Sequence, residues 1–204
     1  MHIEFLVEEQ SAESALVNLI PKIIGHEVSF KIHPFQGKPN LLANLPARLK
    51  GYRQWLPEDW RIVVLMDVDN ADCRVLKQNL DQMASDAGLT TKTASGGEKF
   101  QVLNRLAVEE LEAWFIGDEE AISSAYPRIK RNIAQQEKYR DPDAIAGGTW
   151  EALERLLQKA GYFRGGLGKV AAAREISQYM APERNRSRSF QAFRDGLLAL
   201  VTSS

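Results

Sequence analysis

The chain has 204 residues, of which 44% are hydrophobic and 26% are charged, and its formal net charge is −1. A chain of this length buries a core without disulfides or metal, and its composition excludes a wholly disordered or collagen-like protein. Its longest aliphatic run, Ile62 to Met66, is far shorter than the roughly 20 residues of a membrane span. The single cysteine and the absence of a basic, then apolar leader predict a cytoplasmic protein without a membrane segment.

The hydrophobic pattern of the first part of the chain predicts strands that alternate with helices. The predicted strands are 3–7, 28–32, 61–68 and 100–108. Residues 61–68 are apolar at both parities, as in a strand that is covered on both faces of a parallel sheet. The predicted helices that follow these strands are 11–24, 41–49, 72–87 and 109–116. We expect Ser11 to cap the first helix, Pro21 to bend or divide it, and Pro46 to interrupt the second.

After Asp118 the strand pattern stops. Apolar residues at helical spacing predict further helices at 119–126, 150–160, 169–180 and 190–201. Alternating strands and helices are typical of a parallel sheet with covering helices. We therefore predict an α/β, Rossmann-like domain with a parallel-rich sheet at 1–127. An all-helical C-terminal region at 128–204 should pack on it.

Acidic residues follow the predicted strands at the edge where open parallel sheets bind ligands. Glu8 follows the first strand, and Asp67 and Asp69 end the third. Glu109 and Glu112 follow the fourth and, being three apart, should share one helix face. Carboxylates suit Mg²⁺ or Mn²⁺, which serve phosphoryl transfer. The alternative is that these acids cap turns and helix N-termini, and the pattern leaves open whether the first and third strands are neighbours.

Positive charge is concentrated further along the chain. Residues 101–127 carry a net charge of −5, whereas residues 155–194 carry +7. A cationic segment beside a carboxylate-rich one is one way to hold a polyanion over a metal site. The candidate phosphate- and nucleic-acid-binding residues are Lys38, Lys169, Arg184, Arg186 and Arg188. The alternative is two solvated helical faces of opposite sign, with the arginines in a solvated linker.

Two of these segments carry a resemblance to a known domain. Residues 5–8, Phe-Leu-Val-Glu, and 64–69, Val-Leu-Met-Asp-Val-Asp, resemble the Toprim domain of primases, type II topoisomerases and OLD-type nucleases. Over nearly its whole length the chain resembles a bacterial domain-of-unknown-function family, family 4276, which has a Toprim-like domain. The segments that carry this closer likeness are 35–38, 108–115, 168–169, 185–187 and 189–193.

The Toprim resemblance implies that Glu8, Asp67 and Asp69 surround Mg²⁺, although many Toprim domains have a glycine where this chain has Glu9. Our hypothesis is a nuclease-like, Mg²⁺-dependent phosphodiester-cleaving enzyme that acts on nucleic acid. In it Lys169 meets a phosphate, and Glu109 or Glu112 assists in holding metal. The resemblance also implies an AAA- or ABC-type ATPase partner in genome defence or repair. The alternatives are a catalytically inactive Toprim-shaped subunit of an ATPase complex and a hydrolase of small phosphates.

Overall fold

The computed structural model describes residues 1–69, 71–96 and 98–202. Within these ranges, no helix is both long enough and apolar enough to cross a membrane. Two short 3₁₀ turns span 137–139 and 142–144. The strands and α-helices are, in chain order, β1 (His2–Val7), α1 (Gln10–Ile24), β2 (Ser29–Pro34), α2 (Lys38–Trp55), β3 (Trp60–Asp67), α3 (Cys73–Asp86), β4 (Val102–Ala107), α4 (Glu112–Ile116), α5 (Glu119–Ala125), α6 (Thr149–Lys159), α7 (Lys169–Tyr179) and α8 (Arg188–Thr202).

The four strands form one all-parallel sheet in the order β2-β1-β3-β4. β1 pairs with β3 along its whole length, from His2 opposite Trp60 to Val7 opposite Leu65. Because parallel strands need crossover connections, each of the first three strands is followed by a helix that returns along the sheet. The predicted α/β fold class is confirmed, and the segments that follow β1 and β3 leave the sheet side by side.

Helices cover both faces of the sheet. On one face α2 and α3 bury side chains such as Leu45 and Leu80 against Leu6 and Val64. On the other face α1 and the helices after β4 share a single hydrophobic core with the odd-numbered residues of β1. The helical C-terminal region therefore packs on the sheet, while a domain boundary near residue 127 stays a prediction.

Helices α1 and α7 lie side by side and run in the same direction. Asn18 Nδ2 donates to Ser177 Oγ at 2.9 Å. One turn further, Lys22 Nζ donates to the carbonyls of Ser177, Gln178 and Met180 at 3.0, 2.6 and 2.9 Å. These last-turn carbonyls have no partner within their own helix, so Lys22 fixes α7 lengthwise against α1. The N-termini of both helices consequently lie at the carboxyl edge of the sheet.

Ser11 does not cap α1, and neither Pro21 nor Pro46 divides its helix. The residue that caps α1 is Glu9, and Ser11 is buried in the first turn, where its hydroxyl donates to Glu9 Oε1 at 2.6 Å. Pro21 and Pro46 each lie inside a continuous helix. Pro21 removes the hydrogen bond to the carbonyl of Val17. Val17 is 52% exposed, so solvent can reach this turn and the helix continues.

The packing of α4 on α8 depends on Trp114, and this generates a stability prediction. Its indole is fully buried, lies 4.9 Å from the ring centroid of Phe193 and donates from Nε1 to Ser189 Oγ. We expect Trp114→Ala to lower the free energy of unfolding by about 4 kcal/mol, because the site cannot fill the cavity. Urea denaturation measures the change. Trp55→Ala is the matched control, since Trp55 is 56% exposed, and should cost about 1 kcal/mol or less. Equal losses in the two variants would contradict this account of the packing.

Candidate active site

The carboxyl ends of β1 and β3 bring two of the predicted acids together. Glu8 Oε2 accepts a hydrogen bond from the backbone N–H of Asp67 at 3.2 Å. The start of α2 closes on the same place, since the N–H of Gly37 donates to the carbonyl of Glu8 at 3.0 Å. This contact exists because β1 and β3 are neighbours in the sheet. The carboxyl group of Glu8 thus lies beside Asp67, the first aspartate of the Asp-x-Asp pair.

Asp69 lies around the turn that follows β3. Its φ of +50° is in the left-handed region, and its N–H donates to the carbonyl of Glu109 at 2.8 Å. Its carboxylate pairs with Lys38, whose Nζ lies 3.0 Å from Asp69 Oδ2 and 2.9 Å from the carbonyl of Val68. The two aspartates are therefore splayed around the turn. Lys38 lies at the same edge, with its ammonium held by the β3 loop.

Glu112 and Lys169 complete the cluster from the other side. Glu112 begins α4, is only 2% exposed, and its Oε2 has no hydrogen-bond partner within the part of the chain that the structure describes. Lys169 begins α7, and its Nζ lies 3.9 Å from Glu9 Oε1 and 4.8 Å from the ring centroid of Trp150. The parallel packing of α1 and α7 thus supplies a cation to a group of acids.

Glu109 and Glu112 do not share a helix face, contrary to expectation. The helix begins only at Glu112, and Glu109 precedes it with φ +61°. The chain turns at Glu109 while its carbonyl accepts the N–H of Asp69, which ties the loops after β3 and β4 together. Glu109 and Asp69 line an acidic cavity of about 360 Å³ together with Glu110 and Glu151.

Glu110 fixes the start of α6. Its Oε2 accepts hydrogen bonds from Thr149 Oγ1 at 3.0 Å and from the N–H of Trp150 at 2.7 Å. This contact satisfies first-turn donors of α6 and places Trp150 beside Lys169. No sequence motif singles out Trp150 or Glu151. The available signal is the Gly147-Gly148 pair shortly before them, ahead of a helical pattern. In the structure these glycines have φ values of +82° and +86°.

The turn after β1 has ordinary backbone geometry. Glu9, which stands where many Toprim domains have glycine, adopts φ −151° and ψ 173°. Any residue takes up this extended conformation without strain. The glutamate is therefore compatible with the turn and needs no compensating change in the backbone.

Burial and crowding of like charges raise the proton affinity of the acids. Burial raises the pKa of Asp67 well above its usual range, and the charges of Glu112 and Glu8 add to the effect. Burial raises the pKa of Glu112 to about 7, although Lys169 acts in the opposite direction. Burial also raises the pKa of Glu8, against the lowering effect of the hydrogen bond from Asp67. A proton or a bound cation would relieve this crowding.

Lys169 stays positively charged beside these acids. Burial acts to lower its pKa, but the charges of Glu112 and Glu9 outweigh burial, so that the pKa of Lys169 is raised. The cluster thus combines acids with raised pKa values and a lysine that stays protonated.

The donor chemistry of the cluster fits a hard divalent cation. Within the described ranges, no three His, Cys, Asp or Glu side chains are grouped as a preformed metal centre. The donors at hand are carboxylate oxygens, which suit Mg²⁺ or Mn²⁺. The buried Oε2 of Glu112, which accepts no hydrogen bond from the described residues, is an oxygen that such an ion would satisfy. The cluster therefore fits such an ion by the type of its donor atoms, although the side chains are not already arranged around one position.

Within the described residues, no hydrogen bond or ion pair joins Arg184, Arg186 or Arg188 to this cluster. Arg184 follows the far end of α7, and the ten-residue advance from Lys169 to Tyr179 spans about 15 Å. Its guanidinium makes a bidentate pair with the fully buried Asp118, with Nε–Oδ1 and Nη2–Oδ2 distances of 2.8 and 3.0 Å. Arg186 donates to a backbone carbonyl at 2.9 Å, and Arg188 begins α8. Arg184 therefore ties the segment between α7 and α8 to the start of α5, and Arg186 ties the same segment to residue 140.

The fold and the cluster define the class: an α/β protein with an all-parallel sheet and a group of carboxylates at its strand ends. Residues 7–198 match the family model described as Domain of unknown function (DUF4276), and the chain belongs to this family. The predicted membership in family 4276 is thereby confirmed, while the likeness to Toprim domains stays a resemblance. The comparisons with curated proteins and with solved structures give no match.

The raised pKa of Glu112 predicts a pH-dependent stability. The unfolded chain releases this proton near pH 4.5, whereas the folded protein holds it until about pH 7. The stabilisation is therefore present below pH 4.5 and is lost as the pH rises to about 7. We expect the free energy of unfolding of the wild type to fall by about 3 kcal/mol through this ionisation, and Glu112→Gln to remove that fall. Urea denaturation from pH 5 to 8 in EDTA measures both profiles. Glu27→Gln, at an exposed residue, is the control and should leave the profile unchanged. A Glu112→Gln profile that falls like the wild-type profile contradicts the assignment.

The pairing of Arg184 with Asp118 predicts a structural effect. We expect Arg184→Ala to lower the free energy of unfolding by about 1 to 2 kcal/mol, because a buried carboxylate loses its charged partner. The loss stays below that of a fully buried pair, since Arg184 is 38% exposed and Asp118 keeps the amide donors of Ala121 and Ala181. Chemical denaturation measures it. Arg188→Ala is the control, and an equal effect there would refute the structural role of Arg184.

Proposed function

We propose that the protein cleaves phosphodiester bonds of nucleic acid with a bound Mg²⁺ or Mn²⁺. The observation that carries this proposal is the group formed by the half-buried carboxylates of Glu8 and Asp67 and the buried carboxylate of Glu112, beside Lys169. It lies at the carboxyl edge of a parallel sheet, where open α/β sheets bind ligands. Acids with raised pKa values that lie next to a specific cation are typical of functional sites.

The surroundings of each residue in the cluster indicate its proposed role. Glu8, Asp67 and Glu112 would hold the cation, which supplies neutralisation of the charge on a phosphate. Without metal, Glu112 has a pKa of about 7, so a cation that binds there near neutral pH would displace a proton from it. Lys169, held beside Trp150, offers positive charge to a phosphate oxygen.

Asp69 and Glu109 belong to the proposal as a second, adjoining group. Both line the acidic cavity next to the cluster, so they are the residues for a second ion. Lys38 pairs with Asp69. On binding of a second ion, Lys38 would either contact a substrate phosphate or move away so that Asp69 can bind the ion. An AAA- or ABC-type ATPase partner in genome defence or repair rests on the Toprim resemblance alone.

The extended backbone at Glu9 bears on the inactive-subunit alternative. The replacement of a glycine by Glu9 favours that alternative if it strains the turn. The turn accommodates the glutamate without strain. A hydrolase of small phosphates is separated from a nuclease by substrate: the former cleaves p-nitrophenyl phosphate, the latter bis(p-nitrophenyl) phosphate and oligonucleotides.

Cleavage should depend on Asp67. We expect wild-type protein with Mn²⁺ or Mg²⁺ to cut end-labelled DNA or RNA oligonucleotides, and Asp67→Asn to lower the rate at least 100-fold, since it removes a charged donor from the cluster. Asp86→Asn, at an exposed residue of α3, is the matched control and should cut like wild type. Failure of the wild type to cut any single- or double-stranded substrate overturns the proposed function.

Metal binding should also appear as a change in stability. An ion that binds only the folded protein raises the melting temperature by mass action, here by a few degrees at millimolar Mg²⁺. Asp67→Asn removes one charge from a group of crowded acids, so it should raise the melting temperature in EDTA and abolish the shift with Mg²⁺. Differential scanning fluorimetry tests both effects. An equal Mg²⁺ shift in Asp67→Asn and wild type would place the ion elsewhere.

A further inference from the structure

A second cavity, of about 670 Å³, lies between the segment that follows α5 and the C-terminal half of α6. Its lining includes the apolar side chains of Ile129, Ile133 and Leu156, and no acidic residue lines it. The charged residues that line it are Arg128, Lys130, Lys138, Arg155 and Lys159. The cavity therefore combines five positive charges with apolar side chains.

These five cations are not neutralised by the protein. Across the described ranges, none of them lies within ion-pair distance of a carboxylate. Two of them are held by aromatic rings instead: the Arg128 guanidinium lies 4.0 Å from the ring centroid of Tyr162, and Lys138 Nζ lies 4.6 Å from that of Tyr139. Such contacts orient a cation but leave its charge available. Five like charges around one cavity repel each other, so an anion with several charges would stabilise the arrangement.

One side of α6 connects this cavity to the candidate active site. Glu151, Arg155 and Lys159 are four residues apart and so lie along one stripe of the helix. Glu151 lines the acidic cavity beside Asp69, whereas Arg155 and Lys159 line the basic one. From Glu151 to Lys159 the helix rises about 12 Å. A nucleic-acid strand covers this distance in about four nucleotides at 3.4 Å each.

We propose that the basic cavity binds the phosphate backbone of a nucleic-acid strand that continues along α6 toward the carboxylate cluster. The binding stands on the cavity itself, and only the destination of the strand rests on the proposed function. The chemistry recognised is a run of phosphates, which a free polyphosphate shares. The continuity of the stripe with the acidic cavity favours a strand.

The test measures binding without cleavage. Fluorescence anisotropy follows labelled 20-nucleotide DNA and RNA, single- and double-stranded, across a salt series in EDTA. Arg155→Ala/Lys159→Ala should weaken binding at least tenfold. It should also reduce the slope of log affinity against log salt by about 1.4 on single strands, or about 1.8 on duplex DNA, for two lost phosphate contacts. Alanine is the best helix former, so α6 should persist, and circular dichroism checks this.

A matched control removes two charges elsewhere. Lys50→Ala/Lys99→Ala changes exposed residues on α2 and before β4, and we expect wild-type affinity and slope. Equal behaviour of the two double variants overturns the proposal, and so does a wild type that binds no oligonucleotide. Inorganic polyphosphate serves as the second probe: if it binds the cavity and no oligonucleotide does, the ligand is not a strand.

The same preparations separate this proposal from the proposed function. Binding in EDTA that depends on Arg155 and Lys159, without cleavage in Mn²⁺, supports the cavity and overturns the nuclease. Cleavage in Mn²⁺ with an unchanged salt slope in Arg155→Ala/Lys159→Ala supports the nuclease and overturns the cavity. Asp67→Asn, whose charge lies outside the basic cavity, should bind oligonucleotide at least as tightly as wild type.

Discussion

The parallel pairing of β1 with β3 is the constraint on which the candidate site depends. It makes both strands end at one edge of the sheet, so that the carboxylate of Glu8 reaches the backbone amide of Asp67. The packing of α7 beside α1 adds the cation, because Lys22 fixes the far end of α7 and the near end then places Lys169 beside Glu9. Sheet and helix pair together bring acids and lysine from distant parts of the chain into one cluster.

This arrangement weakens the fold where it concentrates charge. Asp67 and Glu112 bind protons more tightly in the folded protein than in the unfolded chain, so their ionisation at neutral pH opposes folding. The two loops beside them also hold non-glycine residues at positive φ, Asp69 and Glu109. Such strain persists only when the surrounding structure stabilises it. The core shared by α1 and the C-terminal helices, with Trp114 at its centre, provides that stability.

The hydrophobic pattern of the sequence predicted the helices and strands well, because the spacing of apolar residues within each segment indicates its type. The run at 61–68, which is apolar at both parities, corresponds to β3. It could not predict which strands are neighbours. His2 and His33 both contact the carboxylate of Glu4, although His33 is 29 residues from it, because β1 lies beside β2. Nor could it predict the turn at Glu109, since this depends on a hydrogen bond from another loop. Helical spacing alone extended α4 across that turn.

The cations of the C-terminal region divide according to their partners. Moving Arg184 to a ligand would leave Asp118 buried without its charged partner, so phosphate binding there would have to offset a lost internal pair. Arg155 and Lys159 carry no such penalty, because neither is ion-paired within the described chain. A run of positive charge in the sequence cannot distinguish these cases, since the acid that holds Arg184 lies 66 residues away. The proposed binding of phosphate should therefore come from α6 and not from Arg184.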